Sequence, residues 1–215
     1  MMMKRFSVLV LLTILLVACS RTKTEYWPNG TKKSEVNVSG EKYEGTATYW
    51  FENGNLQTSC TYKDNKIDGT LRSYYPSGFI QTEQHFIKGV LNGPIKAWDD
   101  ANKLTSEGNY HNGVLNGRYA EYYQNKMLKI EGNYVDGLHN GIWLYYDVSG
   151  MVIGEGNFTR GTGMQTAFYE NGRTKQVTKY TKDQKDGEEV FYKPDGSPDV
   201  INYYDHGKLT EKIKK

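Results

Sequence analysis

A glycine that recurs at a nearly constant spacing constrains the fold of this chain more than any other feature of its sequence. If this glycine is called offset 0, full copies of the repeat begin at Gly45, Gly69, Gly93, Gly117, Gly141, Gly163 and Gly187. The spacing is 24 residues, except for 22 between Gly141 and Gly163. Residues 26–44 form an earlier, partial copy, in which Tyr26-Trp27-Pro28-Asn29-Gly30 matches offsets 5 to 9. The sequence therefore predicts one repeat array over residues 26–211, followed by a basic tail at residues 212–215.

Two further offsets carry an aromatic residue in every full copy. At offset 5 these residues are Trp50, Tyr74, Trp98, Tyr122, Tyr146, Phe168 and Tyr192. At offset 17 they are Tyr62, Phe86, Tyr110, Tyr134, Phe158, Tyr180 and Tyr204. Glycines at offsets 0, 9 and 20 account for 18 of the 23 glycines in the chain. Turns are therefore predicted at the same positions in successive copies.

The residues at offsets 7 to 9 are typical of a tight turn between two antiparallel strands. Examples are Glu52-Asn53-Gly54 and Pro76-Ser77-Gly78, where proline fixes φ and glycine accepts a positive φ. A three-residue loop at these offsets would pair offset 5 with offset 11, and offset 1 with offset 15. Each copy is therefore predicted to be a β-hairpin.

Side chains alternate between the two faces of a strand, so the predicted register assigns each offset to a face. Offsets 5, 11 and 17 would share one apolar, aromatic face. The glutamates at offset 14 would lie on an opposite, solvated face; they are Glu83, Glu107, Glu131 and Glu155. We expect an all-β fold in which tandem 24-residue hairpins form one elongated, twisted antiparallel meander, open and solenoid-like, of about fifteen strands.

The pattern Gly-x-Trp-x-x-Tyr-Tyr…Asn-Gly…Glu-Gly-x-Tyr…Gly…Asn-Gly, clearest in residues 117–141 and 141–156, resembles the MORN-repeat variant. It is also similar to the YwqK-type antitoxin family, whose members are built of such hairpins. The resemblance covers about residues 26–211. It implies a binding function: toxin neutralisation for the antitoxin family, and scaffolding or membrane-associated interaction for other MORN-type proteins. It implies no catalytic residue, because the motif contains none.

Residues 1–18 have the order of segments found in a bacterial secretory signal. Lys4 and Arg5 precede an apolar run of twelve residues, which is too short to span a bilayer. The run ends in Leu16-Val17-Ala18-Cys19, which resembles the lipobox of bacterial lipoproteins. The resemblance implies cleavage before Cys19 and a lipid on its sulfur. An ordinary signal followed by an incidental cysteine is the alternative.

A lipid on Cys19 would attach the protein stably to a membrane, because two or three acyl chains on one residue exceed what a single chain achieves. Residues 20–25 would then be a short polar tether. Ser20, not aspartate, follows the cysteine, which favours the outer membrane of the cell envelope and leaves the periplasmic and surface faces open. The other cysteine, Cys60, would have no intramolecular disulfide partner and is expected to be a small buried residue.

Neither charge nor motifs indicate nucleic-acid binding or catalysis. Residues 19–215 contain equal numbers of basic and acidic residues, whereas a nucleic-acid binder has a basic excess. The histidines lie at four different offsets; they are His85, His111, His139 and His206. The offset-14 glutamates would be about 9–10 Å apart, too far to share one calcium ion. We expect no enzyme activity, no cofactor and no metal site.

Aromatic residues outside offsets 5 and 17 are the candidates for a binding surface, because aromatics present in every copy are expected to form the core. The predicted register places them on the opposite face or at its margin. They are Tyr49, Phe51, Tyr75, Tyr119, Tyr123, Trp143, Tyr145 and Tyr169.

The sequence thus predicts a non-enzymatic, membrane-anchored envelope lipoprotein whose repeat sheet acts as a protein-interaction scaffold, in a narrower form one that neutralises a toxin. The alternative is a repeat module that binds glycan, peptidoglycan or a host surface. A structural spacer that self-associates through the open edges of its sheet is a third hypothesis.

Overall fold

The structure, a computed structural model, describes residues 20–215, and all regular secondary structure in this part of the chain is β. The expected signal and Cys19 lie outside the described residues. The strands are β1 (Ser20–Tyr26), β2 (Lys32–Ser39), β3 (Lys42–Trp50), β4 (Leu56–Lys63), β5 (Lys66–Ile67), β6 (Gly69–Tyr74), β7 (Ile80–Ile87), β8 (Val90–Trp98), β9 (Leu104–His111), β10 (Val114–Leu115), β11 (Gly117–Tyr122), β12 (Leu128–Val135), β13 (Leu138–Tyr146), β14 (Val152–Thr159), β15 (Thr162–Phe168), β16 (Thr174–Thr181), β17 (Gln184–Tyr192), β18 (Pro198–Asp205) and β19 (Lys208–Lys214). No helix among residues 20–215 has the length and hydropathy needed to cross a membrane.

The nineteen strands form one open antiparallel sheet in which strands adjacent in the chain are adjacent in space, as predicted. The number of strands exceeds the expected fifteen partly because the strand opposite β4 is divided into β5 and β6, and the strand opposite β9 is divided into β10 and β11.

The expected tether at residues 20–25 is wrong, because these residues belong to β1, which pairs with β2 along its length. Most of the expected basic tail likewise belongs to β19.

Each hairpin contains a β-bulge that the predicted register lacked. In the first full copy Trp50 pairs with Leu56, as expected for offsets 5 and 11, but the next pair is Tyr49 with Thr58. One residue of the second strand is therefore left over. Offset 1 consequently pairs with offset 16, as Thr46 does with Thr61, and the predicted pairing of offsets 1 and 15 is wrong.

The bulge also changes which offsets share a face, because side-chain alternation shifts by one residue across it. Offset 17 joins offsets 2, 4, 13 and 15 on what we call the packed face. Offsets 1, 3, 5, 11, 14 and 16 share the other face, which we call the carboxylate face. The expected single aromatic face is therefore wrong: the aromatics of offsets 5 and 17 lie on opposite sides of the sheet.

Burial follows this corrected assignment. Glycines aside, all but one of the buried residues lie on the packed face; they are Ser34, Val36, Val38, Ala47, Cys60, Trp143, Phe158, Thr178 and Glu189, with Ala120 on the carboxylate face. The prediction that Cys60 is a small buried residue is confirmed, and it packs beside Val36 and Ala47. The core is thus a row of side chains along one side of a single sheet.

In the middle of the array, aromatic rings on the packed face lie over glycines at offset 15. A Cβ atom added at Gly132 would lie only 2.1 Å from the ring of Trp143. That ring packs edge-on against Tyr134, with centroids 4.9 Å apart, and against His139 at 4.1 Å. Gly108 and Gly156 occupy the same offset under Tyr119 and Phe158. These glycines make room for large side chains, as small residues do opposite large ones in a packed core.

The 22-residue spacing has a simple structural cause. The other offset-0 glycines have positive φ, for example 101° at Gly117, whereas Gly163 does not. Strands β14 and β15 pair without a register shift, around the two-residue turn Arg160-Gly161. The two missing residues are therefore those around offset 0 that shift the register in other copies, as between β16 and β17, where Tyr180 pairs with Lys185 but Thr178 with Glu189.

We expect Gly132→Ala to lower the free energy of unfolding by about 1–3 kcal/mol, because its methyl group would overlap the Trp143 ring and the core would have to shift. Gly132 does not have a positive φ, so the effect is steric. Chemical denaturation monitored by circular dichroism measures it. In a Trp143→Phe background the same substitution should cost less, because the smaller ring leaves space; an equal cost in both backgrounds would contradict this account.

Candidate functional site

Four of the eight aromatic candidates lie on the packed face and form part of the core. Tyr119 and Trp143 are at offset 2, and Tyr49 and Tyr145 are at offset 4. Trp143 is only 2% exposed, and its indole nitrogen donates a hydrogen bond to the carbonyl oxygen of Asn133 at 3.2 Å. Burial raises the pKa of Tyr145 to about 12. The expectation that these residues lie opposite the core is wrong, because it relied on a register without the bulge.

The other four candidates lie at offset 6, where each hairpin turns. The hydroxyl of Tyr75 donates a hydrogen bond to the carbonyl oxygen of Trp98, one copy further along, at 2.9 Å. Tyr123 does the same to Tyr146 at 2.8 Å, and Tyr169 to Tyr192 at 2.6 Å. Phe51 has the same offset but no donor. These tyrosines therefore join the tip of one hairpin to the next.

Asparagines at offset 8 add a second link between successive hairpin tips. The side-chain nitrogen of Asn53 donates to the carbonyl oxygen of Pro76, and that of Asn125 to the carbonyl oxygen of Val148, both at 2.8 Å. At the opposite ends of the strands the connectors are also linked, for example by the backbone nitrogen of Gly113 and the carbonyl oxygen of Leu91 at 2.8 Å. Both rims of the sheet are thus held by bonds between copies.

An exposed apolar patch lies on two of these linked tips, and sequence reasoning did not single it out. We call it the tip patch; it consists of Met127, Val148, Met151 and Val152, which are 42%, 62%, 48% and 41% exposed. The terminal methyl group of Met127 lies over Gly150, where an added Cβ atom would be 2.7 Å away. The feature of the sequence that could have indicated this patch is methionine at offset 10 in two successive copies, at Met127 and Met151.

The carboxylate face carries a linked row of charged and aromatic groups. The guanidinium of Arg118 lies between two offset-14 glutamates, 3.0 Å from Glu107 and 3.4 Å from Glu131. The hydroxyl of Tyr122 donates to Glu107, and that of Tyr146 to Glu131, each at 2.8 Å. Burial, together with these hydrogen bonds to carboxylates, raises the pKa of both tyrosines. The glutamates are therefore not simply a solvated row.

A buried carboxylate replaces the aromatic ring of the packed face near the C-terminal end. Glu189, at offset 2, is 2% exposed and is paired with the ammonium group of Lys185. The side-chain nitrogens of Gln176 and Asn202 each donate to it at 2.8 Å, and the hydroxyl of Tyr204 at 3.1 Å. Burial alone would raise the pKa of Glu189, but Lys185 and the other donors hold that pKa below its ordinary value.

Among residues 20–215 one group of potential metal ligands is present, where the sequence predicted no metal site. Donor atoms of Asp186, Asp205 and His206 all lie within 4.8 Å of one another. Nδ1 of His206 is 2.5 Å from Asp205, whose hydrogen bond raises the pKa of the histidine. Asp186 accepts the backbone N–H of His206 at 3.4 Å, the same contact that Asn140 makes with Arg160 in another connector. The carboxylate of Asp186 thus accepts a backbone N–H of the neighbouring connector between hairpins.

Comparison with known proteins identifies the repeat. The profile of the family described as "MORN repeat variant" matches residues 43–64 and 115–136. Both segments begin at offset 22 and end at offset 19 of the next copy, so they match the same part of the unit. The chain therefore contains MORN-type repeats at these two positions, in an array of the kind that serves as a binding module. No curated protein matches the chain.

Two solved structures show a low similarity to the chain. One is titled "Crystal Structure of TcdB2-TccC3-Cdc42", with 10% sequence identity, a TM-score of 0.24 and coverage of 86% of this chain and 12% of that chain. The other is titled "Crystal Structure of TcdB2-TccC3-TEV", with 14% identity, a TM-score of 0.23 and coverage of 89% and 13%. The chain thus spans about an eighth of their length. TM-scores this low carry no argument about fold or function.

We expect Glu189→Gln to lower the free energy of unfolding at neutral pH by about 1–3 kcal/mol, because hydrogen bonds to a buried charge are lost. The folded pKa of Glu189 lies below its ordinary 4.5. Its stabilisation is therefore complete above that ordinary value and is lost as the pH falls through the folded pKa. Denaturation curves of both proteins at several pH values should converge in acid.

The matched control is Glu188→Gln, which removes an exposed carboxylate paired with Lys179 on the other face and should change the stability by no measurable amount. A difference between wild type and Glu189→Gln that persisted undiminished in acid would show that the charge of Glu189 does not stabilise the fold.

Proposed function

We propose that this protein is a non-enzymatic interaction module, attached to the cell envelope by a lipid on Cys19, and that it binds a protein partner through the tip patch. The observation that carries the proposal is the exposure of Met127, Val148 and Met151 side by side on two linked hairpin tips. Apolar patches with a polar surround mark protein-interaction sites on soluble surfaces.

The tip patch is suited to binding because its backbone is already fixed. Tyr123 and Asn125 each donate a hydrogen bond to the next hairpin tip, so the patch is held across two copies. A preformed frame lowers the entropic cost of association. The two methionines supply flexible, polarisable side chains that adapt to the shape of a partner.

The membrane attachment rests on the lipobox-like sequence before Cys19, and the fold is compatible with it. Because β1 begins at Ser20, the array would lie close to the bilayer. The outer membrane is the proposed location, since Ser20 and not aspartate follows Cys19. The narrower form of the proposal is that the partner is a toxin domain, which the array neutralises by covering it.

The double substitution Met127→Ser/Met151→Ser should abolish capture of the partner without unfolding the array, because it removes apolar area from exposed positions only. The full-length chain would be immobilised in detergent and exposed to solubilised envelope and secreted proteins. Mass spectrometry then identifies what remains bound. We expect one stoichiometric protein on the wild type, retained at least about tenfold less by the variant.

The control for this experiment is Val90→Ser/Val114→Ser, which removes two residues of similar exposure, 45% and 43%, from the connector rim. It should retain the partner. Equal capture by wild type and the tip-patch variant would refute the proposed surface. If the captured protein is toxic to cells that lack this chain and harmless to cells that produce it, the toxin-neutralising form holds; if cells without the chain are indifferent to it, that form fails.

Cys19→Ser should release the protein from the membrane fraction, because the acylated sulfur is lost. Cell fractionation measures the shift, and mass spectrometry of the wild-type N-terminal peptide should find the added acyl chains. A substitution at Cys60 serves as the control and should leave fractionation unchanged. Membrane attachment that survived Cys19→Ser would exclude the lipid anchor while leaving the tip-patch proposal open.

A further inference from the structure

The carboxylate face contains a second feature that the tip patch does not explain: aromatic rings that recur at offset 5 beside carboxylates. The sequence analysis assigned these rings to the core, but the bulge places them on the face opposite the main row of buried residues. Trp98, Tyr122 and Tyr146 are partly exposed there, in three successive copies. They recur at one position in successive copies along the array, and we call this set the ring row.

The hydrogen bonds of the tyrosines indicate how their rings lie. Tyr122 is on β11, and its hydroxyl reaches Glu107 on the neighbouring strand β9; Tyr146 on β13 reaches Glu131 on β12 in the same way. A ring that crosses from its own strand to the next lies along the sheet. The small residue between these groups, Ala120, is completely covered although it is on this face. The rings of Tyr122 and Tyr146 are thus held across neighbouring strands by their hydroxyl groups, and both side chains stay partly exposed.

The ring row has the periodicity of a linear ligand. Equivalent residues in successive copies are two strands apart, about 10 Å at the ordinary strand spacing. This distance is close to the length of one disaccharide unit in an extended 1,4-linked chain. Sugar rings stack on flat aromatic side chains through their C–H faces, and a repeating polymer would meet an equivalent ring at every second sugar.

The polar groups beside the ring row indicate the chemistry of the ligand. Glu107, Glu131 and the exposed Glu155 present carboxylate oxygens, which accept hydrogen bonds from hydroxyl or amide groups. Arg118 supplies donors between two of them. An open depression of about 250 Å³ is lined in part by Lys96, Glu107 and Arg118, although none of the three rings lines it. Because carboxylates outnumber the cations here, a polyanionic polysaccharide would be repelled.

We propose that the carboxylate face binds a neutral, extended β-1,4-linked polysaccharide, which runs along the ring row and contacts one aromatic ring per disaccharide. This inference goes beyond the proposed protein partner, because it concerns other residues; the tip patch meets the carboxylate face at Val152, which pairs with Tyr146. The sheet twists between copies, so the ligand follows the row over a few copies and not over the whole array.

The experiment is a titration of the full-length chain, in detergent, with β-1,4-linked N-acetylglucosamine oligomers, followed by calorimetry. The dissociation constant should fall by about tenfold from disaccharide to tetrasaccharide, and again from tetrasaccharide to hexasaccharide, because each added disaccharide reaches another ring. A hexasaccharide that contains uronic acids should bind at least about tenfold more weakly. Affinity that does not depend on oligomer length would overturn the proposal.

Two pairs of variants test the residues. Tyr122→Leu/Tyr146→Leu should weaken hexasaccharide binding by at least about tenfold, whereas Tyr123→Leu, the same change at a hairpin tip, should not. If the first pair fails to fold, Glu107→Gln/Glu131→Gln keeps both rings and should weaken binding through its hydrogen bonds. Equal binding by this glutamine pair and the wild type would then overturn the proposal.

One variant separates the saccharide surface from the protein-binding surface. Met127→Ser/Met151→Ser should leave hexasaccharide affinity unchanged while it abolishes capture of the protein partner. Loss of hexasaccharide binding in that variant would place the saccharide on the tip patch and overturn the assignment to the ring row.

Discussion

The one-residue bulge in each hairpin is the constraint on which the rest of the structure depends. Offsets 5 and 11 pair beside the short loop, and beyond the bulge the pairing register of the second strand is shifted by one residue. As a result each copy supplies aromatic side chains to both faces. The packed face receives those of offset 17 and, in some copies, of offsets 2 and 4, and the carboxylate face receives those of offset 5. Without the bulge, one face would carry the aromatics of both offset 5 and offset 17.

A sheet with one layer cannot bury a compact core, so its cohesion depends on contacts between neighbouring copies. Besides the pairing of strands from successive copies, such as β12 with β13, these contacts are of three kinds, and each lies in a different part of the hairpin. Rings over glycines, such as Trp143 over Gly132, fill the middle of the packed face. Hydrogen bonds from Tyr123 and Asn125 join the tips, and backbone bonds such as that of Gly113 join the connectors. In the copy that begins at Gly187, Glu189 and its donors replace a ring by a hydrogen-bonded charge.

The architecture could be predicted from the sequence, because turn residues at fixed offsets determine where strands begin and end. The pairing of Trp50 with Leu56 followed from the length of the loop alone. The bulge could not be predicted in this way, since no residue type at offsets 11 to 13 demands it. Offsets 5 and 11 do share a face as predicted, but the assignment of offset 17 to that face inherited the error. Tyr123 was singled out for its ring, whereas the structure uses its hydroxyl; only the position of the next hairpin shows this. The tip patch depends on Met127 and Val148 being adjacent across copies, a relation that the linear sequence does not display.

The two open edges of the sheet have a consequence for assembly. When the interrupted strands β5/β6 and β10/β11 are each taken as one, the antiparallel order makes β1 and β19 run in the same direction. A second molecule placed after the first by simple translation would therefore set β19 beside a parallel β1, and the antiparallel ladder would be interrupted at the junction. An antiparallel ladder between two molecules would instead require like edges to meet, β1 with β1 or β19 with β19, about a two-fold axis.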